Sequence, residues 1–256
     1  MTTAVYLFTS SLQDLLRPQR FAFWALAGLI MAGLGQAFLR MGKNAVPAEV
    51  YVQVSDQILF RILALVAAVF AGVVVNREVQ QKTIVYLLTR PVPRGTLLIT
   101  RWLASAAAVA IVGWIAAAGT ALGTTAGFGD VFFRDILALT IGAFAYTALF
   151  LMVSLLINKA MVVCLVFAFG WESAVPNMSG SLYLLTIKTH LFGIANHPKP
   201  ANGASGDATS ALASASNPAV PAGTAWIAML TLVIVLTLFN AQWFGRNEYV
   251  PREDGE

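Results

Sequence analysis

The sequence is short of charge. Asp, Glu, Lys and Arg make up only 11% of its 256 residues, while hydrophobic residues make up 58% and the mean hydropathy is +0.75. A water-facing domain carries about a quarter charged residues. One soluble core cannot hide the difference, because the buried fraction rises only slowly with chain length. The deficit excludes an ordinary soluble protein and leaves lipid as the surrounding medium. Cysteine is reduced to Cys164, inside an apolar run, which excludes an intrachain disulfide and reads as a buried thiol. Histidine is reduced to His190 and His197, with Asp207 the nearest acid downstream, a poor basis for a metal site. The apolar runs hold no His/Glu or Asp pairs, which excludes intramembrane hydrolysis. The net charge is +4 and the isoelectric point about 9.4. The Lys and Arg residues sit in short segments between apolar runs, as juxtamembrane anchors do, and form no basic stripe with interleaved aromatics. Nucleic acid is therefore not an expected partner.

What is abundant is long apolar sequence. About twenty apolar residues cross about 30 Å of hydrocarbon, and five runs meet that test: Phe21–Leu39, Ile58–Val75, Leu97–Leu122, Ile136–Ile157 and Ala225–Phe244. No small-x-small cleavage site follows the first, which reads as a retained span. Another run, Met161–Ile187, is interrupted by Glu172, Pro176, Asn177 and Gly180. Irregular backbone survives in a membrane only where protein or a water-filled cavity covers it, so this run is expected to be a broken or re-entrant fifth span. The expected fold is all-α and polytopic, with six transmembrane helices over residues 21–256.

Six spans put both termini on one side. That side collects ten of the sixteen Lys and Arg residues, Arg77–Arg101 supplying the densest group, and the other side six. The richer side is expected to be cytoplasmic. Residues 1–20 alternate Tyr6, Leu7, Phe8, Leu12, Leu15 and Leu16 with polar residues, giving the one-sided pattern of a cytoplasmic interfacial helix. Residues 188–223, rich in Ala, Ser, Asn, Gly and Pro, read as a flexible outside loop.

Glu172 is the acidic residue deepest in an apolar run. A charge at mid-bilayer costs about 3 kcal/mol on insertion scales, so such residues usually face the interior and serve function. The other reading, that Glu172 marks the outer interface beside Trp171, stays open. Arg61 reads as the first turn of the second span, snorkelling outward, with Asp56 or Glu49 as candidate partners. Gly113, Gly119 and Gly123 form a small-residue face suited to close helix packing, a dimer seam being one place for it.

The segment Asn76–Arg94, at the centre of a coupling loop over 76–96, links the second and third spans. Ile84, Tyr86, Leu87 and Leu88 make an apolar patch among Glu78, Lys82, Arg90 and Arg94, and Pro91 and Pro93 end any helix. Such an amphipathic segment suits a groove on a soluble partner or the lipid headgroups, and composition alone does not choose.

The pattern Glu78, Thr83, then Leu87-Leu88-Thr-Arg-Pro-Val-Pro-Arg94 resembles the cytoplasmic loop of type-2 ATP-binding-cassette (ABC) exporter permeases. Within that family the chain looks most similar to the small permeases that include those of nitrous-oxide-reductase maturation and gliding systems. It departs from the common pattern at Lys82, where Gly is usual, and Pro93, where Ser is usual. The resemblance extends in outline along the whole chain, through the interfacial helix, six spans, broken fifth span and short basic C-terminus.

It implies a permease subunit of an ATP-driven exporter in the bacterial inner membrane, working as a homodimer or with a homologous permease. Glu78, Thr83, Ile84, Leu87, Leu88, Arg90 and Arg94 would then contact a cytoplasmic ABC ATPase subunit. ATP would be used by that partner, because this chain lacks the Gly-x-x-x-x-Gly-Lys-Ser/Thr phosphate loop; it is expected not to be an enzyme by itself and to carry no cofactor. The alternative is a membrane anchor or regulator that recruits a cytoplasmic partner through the same loop.

Overall fold

The computed structural model describes residues 3–15, 18–41, 46–80, 94–157, 160–175, 181–197 and 220–246, and these are helical with no strand. In chain order the helices are α1 (Thr3–Leu15), α2 (Pro18–Met41), α3 (Pro47–Val54), α4 (Phe60–Gln80), α5 (Arg94–Gly123), α6 (Asp130–Leu156), α7 (Ala160–Val166), α8 (Glu172–Ala174), α9 (Ile187–Ala195) and α10 (Ala222–Arg246). Two π-helical turns, Ser55–Leu59 and Phe167–Trp171, join α3 to α4 and α7 to α8. A 3₁₀ turn at Ser181–Leu185 precedes α9.

Helices α5 and α6 form the middle of the bundle. Helix α5 packs against α1, α2, α4, α6 and α10, and α6 also meets α4, α9 and α10. The α2–α5 contact is backbone against backbone. A Cβ added at Gly119 would lie 2.2 Å from the carbonyl oxygen of Gly28, and one at Gly123 would lie 2.1 Å from that of Ala32. Small residues permit this approach, and apolar packing of this kind holds helices together where lipid supplies no hydrophobic drive. The close helix packing expected of this glycine face is made within the chain by Gly119 and Gly123, whereas Gly113 meets Leu63 and Leu139 instead.

Four helices among the described residues are long and apolar enough to cross a membrane: Pro47–Gly72, Gly95–Gly123, Asp130–Leu156 and Ala222–Arg246. Two further apolar stretches, Leu26–Met41 and Ala160–Ala174, are shorter. Four is fewer than the six expected. Only 22% of the most apolar window of α10 is covered by protein, against 61% for the first two spans. Its outward Ile227, Leu230, Ile234, Val235 and Leu238 face the surroundings, a surface suited to lipid.

Helix boundaries depart from the hydropathy runs, most of all in the second span. The second span begins at Pro47, eleven residues before Ile58, because Pro at the first helical position is pre-set for a helix and needs no amide partner. Arg61 therefore lies about four turns into the continuous helix and not in its first turn. The outside loop expected over 188–223 also needs correction. Its first eight residues belong to α9, where Lys188, Leu191, Gly193, Ile194 and Ala195 are buried, and Val220 is buried at the far end.

Candidate functional site

The segment carrying the expected ATPase contact joins α4 to α5. Thr83, Ile84, Leu87, Leu88 and Arg90 lie outside the described residues. Glu78 belongs to the last turn of α4 and Arg94 begins α5, with their side chains not described.

The opposite end of α4, about 30 Å away at 1.5 Å rise per residue, carries a buried polar cluster. Asp135, one turn into α6, is fully enclosed. Its Oδ2 accepts hydrogen bonds from the Tyr51 hydroxyl at 2.9 Å and the Ser55 hydroxyl at 2.6 Å. Its Oδ1 meets Nε2 of His197 at 2.6 Å. The other ring nitrogen of His197, Nδ1, faces a carboxylate oxygen of Asp56. The His197 side chain is 7% exposed, and Asp56, at 37%, is the member of the cluster that reaches the surface.

Local backbone explains how residues so far apart in sequence meet. A π turn holds one residue more than an α turn and shifts the side chains that follow around the helix. Here it contains Ser55 and Asp56 and aligns them with Tyr51 toward α6. At the other side, Asn196 ends α9 in the left-handed conformation, φ 44°. This turns the chain back so that His197 meets the π turn and α6. Burial opposes charge on the imidazole, but the hydrogen bonds and charges of Asp135 and Asp56 outweigh it and hold its pKa up at about 10.

Glu172 sits beside a second tie. It follows the second π turn, is 3% exposed, and accepts the backbone N–H groups of Ile187 and Lys188 at 3.1 Å each. The Tyr146 hydroxyl of α6 bonds it as well. A carboxylate on the first amides of a helix satisfies orphan donors and complements the helix dipole. Glu172 therefore secures the N-terminal end of α9, a structural tie that neither sequence reading of it contained. Lys188, buried at the same end, lies over the Phe192 ring and feels Arg61, Asp56 and Glu172.

Sequence reasoning missed Asp56, Asp135 and His197 as a group. It placed Asp207 nearest the histidine and gave Asp56 to Arg61. A weak signal was present, since Asp135 and Asp56 each stand within two residues of an apolar run that could have started earlier. The arrangement binds protons and joins helices. Among the described residues no group of three or more His, Cys, Asp or Glu side chains is placed to hold a metal ion.

Apolar helices long enough to span, with Asp135, His197 and Glu172 enclosed among them, define a multi-pass membrane protein. The chain belongs to the ABC-2 transporter family: the model of "ABC-2 family transporter protein" matches residues 11–244. No match is found among curated proteins.

Proposed function

We propose that this chain is the permease subunit of an ATP-driven ABC-type exporter, coupling hydrolysis by a separate ATPase to export or to action on an extracytoplasmic partner. The observation that carries the reading is the family match over nearly the whole chain, together with the acidic, apolar and Pro-Val-Pro-Arg94 pattern between α4 and α5. The remaining expectations go with it: six spans with α2 first and the α7–α8 segment as a broken fifth, both termini in the cytoplasm of a bacterial cell, α1 on the inner leaflet, and a dimer or a homologous partner permease. Catalysis is assigned to the ATPase.

Within the coupling segment, Ile84, Leu87 and Leu88 supply the apolar anchor, with Thr83 and Arg90 beside them and Glu78 and Arg94 orienting the contact. Buried apolar anchors carry most interface energy, whereas exposed charge pairs are worth about 0–1 kcal/mol. Leu87→Asp is expected to abolish co-purification of the ATPase, and Glu78→Ala to leave assembly largely intact while weakening coupling. Membrane insertion of both variants is checked first. Full retention of ATPase and activity by Leu87→Asp would remove the coupling assignment. An ATPase that binds but shows no permease-dependent hydrolysis would favour the anchor reading instead.

A further inference from the structure

Helix α9, nine residues long, packs on α6 and α10 and touches α4 through Phe192 and Phe60, and carboxylates from other elements hold both of its ends. Glu172 takes the first amides, and His197 follows the last turn into the pair of carboxylates. Between these ends the helix fits tightly. Leu191 packs where a Cβ on Gly142 of α6 would stand, 2.8 Å away, and Gly193 leaves room for Val220 and Ala225 at the start of α10. The apolar surface beneath, including Leu63 of α4 and Leu191 itself, is buried.

The geometry at His197 suits a charged ring. A neutral imidazole has one N–H donor and one lone-pair acceptor. Both ring nitrogens here face carboxylates, which only accept while ionised. An imidazolium satisfies both at once, whereas the neutral ring would aim a lone pair at a carboxylate oxygen. We propose that α9 is a strap over the α4–α6 seam, latched by a His197 imidazolium shared between Asp56 and Asp135, and that losing this proton releases its C-terminal end.

The groups around the latch come from every neighbouring element: Tyr51 from α3, Ser55 and Asp56 from the π turn, Arg61 from α4, Asp135 from α6 and Lys188 from α9 itself. Glu172 of α8 acts on Lys188. Arg61 and Asp56 act on Lys188 as well. Deprotonating His197 leaves two carboxylates facing a neutral ring, an arrangement that drives them apart. A folded-state pKa held near 10, above the ordinary value of 6.5, keeps the latch closed at neutral pH and loses it as pH rises through 10.

The test uses purified protein in lipid nanodiscs and is independent of topology, partner and transport. In a Cys164→Ala background, Ile194→Cys places a thiol on the buried face of α9, and Leu185→Cys provides an exposed reference. The ratio of their maleimide labelling rates reports strap release and cancels the effect of pH on the thiol. At pH 7, adding His197→Gln or Asp135→Asn is expected to raise the ratio about tenfold or more, the scale of losing one member of a buried charge pair. Cys164 in otherwise unchanged variants stays unlabelled if the bundle is intact. Should a variant unfold, the reporter protein carrying Lys188→Gln decides, because burial lowers the pKa of the Lys188 ammonium to about 8 and its discharge must be kept out of the window. The ratio should still climb between pH 8 and 10.5 and be reversible on return to pH 7. A ratio that stays flat with pH, or one that His197→Gln leaves unchanged in an intact bundle, overturns the latch.

Discussion

Asp135 is the most exacting residue of the fold, because three donors, from α3, the π turn and the end of α9, depend on one enclosed carboxylate. Removing a buried acceptor leaves the donors desolvated and unpaired, which costs more than the bonds themselves were worth. Asp135→Leu is expected to destabilise the protein by about 3–5 kcal/mol, read as a lowered melting temperature in detergent. Tyr51→Phe removes a single donor and should cost about 1 kcal/mol. The dependence on pH has a fixed sign. The raised pKa of His197 contributes stability that is whole below pH 6.5 and disappears as pH passes 10, so His197→Gln should flatten the alkaline fall in melting temperature. None of this was legible residue by residue. His197 lies 141 positions from Asp56 and 62 from Asp135, and no local spacing rule connects positions so distant. Glu172 was conspicuous as a charge in an apolar run, but its acceptors-to-amide role depends on where α9 begins, which the composition of 188–223 concealed.

At the level of elements, glycines divide by what surrounds them. Gly119 and Gly123 face the backbone of α2, so even one added carbon forces the helices apart. Gly119→Val is expected to cost about 1–3 kcal/mol or more and to weaken a disulfide cross-link engineered between α2 and α5. Gly33, also in α2, has nothing within 4 Å of its would-be Cβ. Gly33→Ala should therefore be neutral or stabilise by up to about 1 kcal/mol through helix propensity alone. Thermal melting of the two variants side by side separates these outcomes. Periodicity marked Gly119 and Gly123 correctly, because i, i+4 spacing lines up small residues on one side, but Gly113, six residues before Gly119, lies off that face against α4 and α6. The pattern carried no information about the face's partner, since α2 and a second copy of the chain offer the same chemistry.

For the whole molecule, hydropathy was the most legible signal, because lipid imposes one length and one composition on every span. All-helical structure and membrane class followed from it. The count of spans did not follow as cleanly, since Leu26–Met41 and Ala160–Ala174 fall below spanning length among the described residues. The six-span proposal has a direct check in intact cells. Cysteines introduced as Tyr86→Cys and Ser205→Cys, with Cys164→Ala, should react with an impermeant thiol reagent from opposite sides, Ser205→Cys from outside. Reaction of both from outside would require an even number of crossings between them and overturn the six-span proposal.

The π turn at Ser55–Leu59 has a consequence for how this chain tolerates change in length. One residue of an α-helix corresponds to about 100° of rotation, so the extra residue sets the angular phase between α3 and the long α4. Dropping Gln57 would leave a regular helix that looks better on paper, yet it would swing Tyr51 and Ser55 by more than a quarter circle away from Asp135. Substitution is cheap at Gln57 and deletion is not. The helix behaves like a keyed shaft, in which the irregular notch is what keeps its two ends in step.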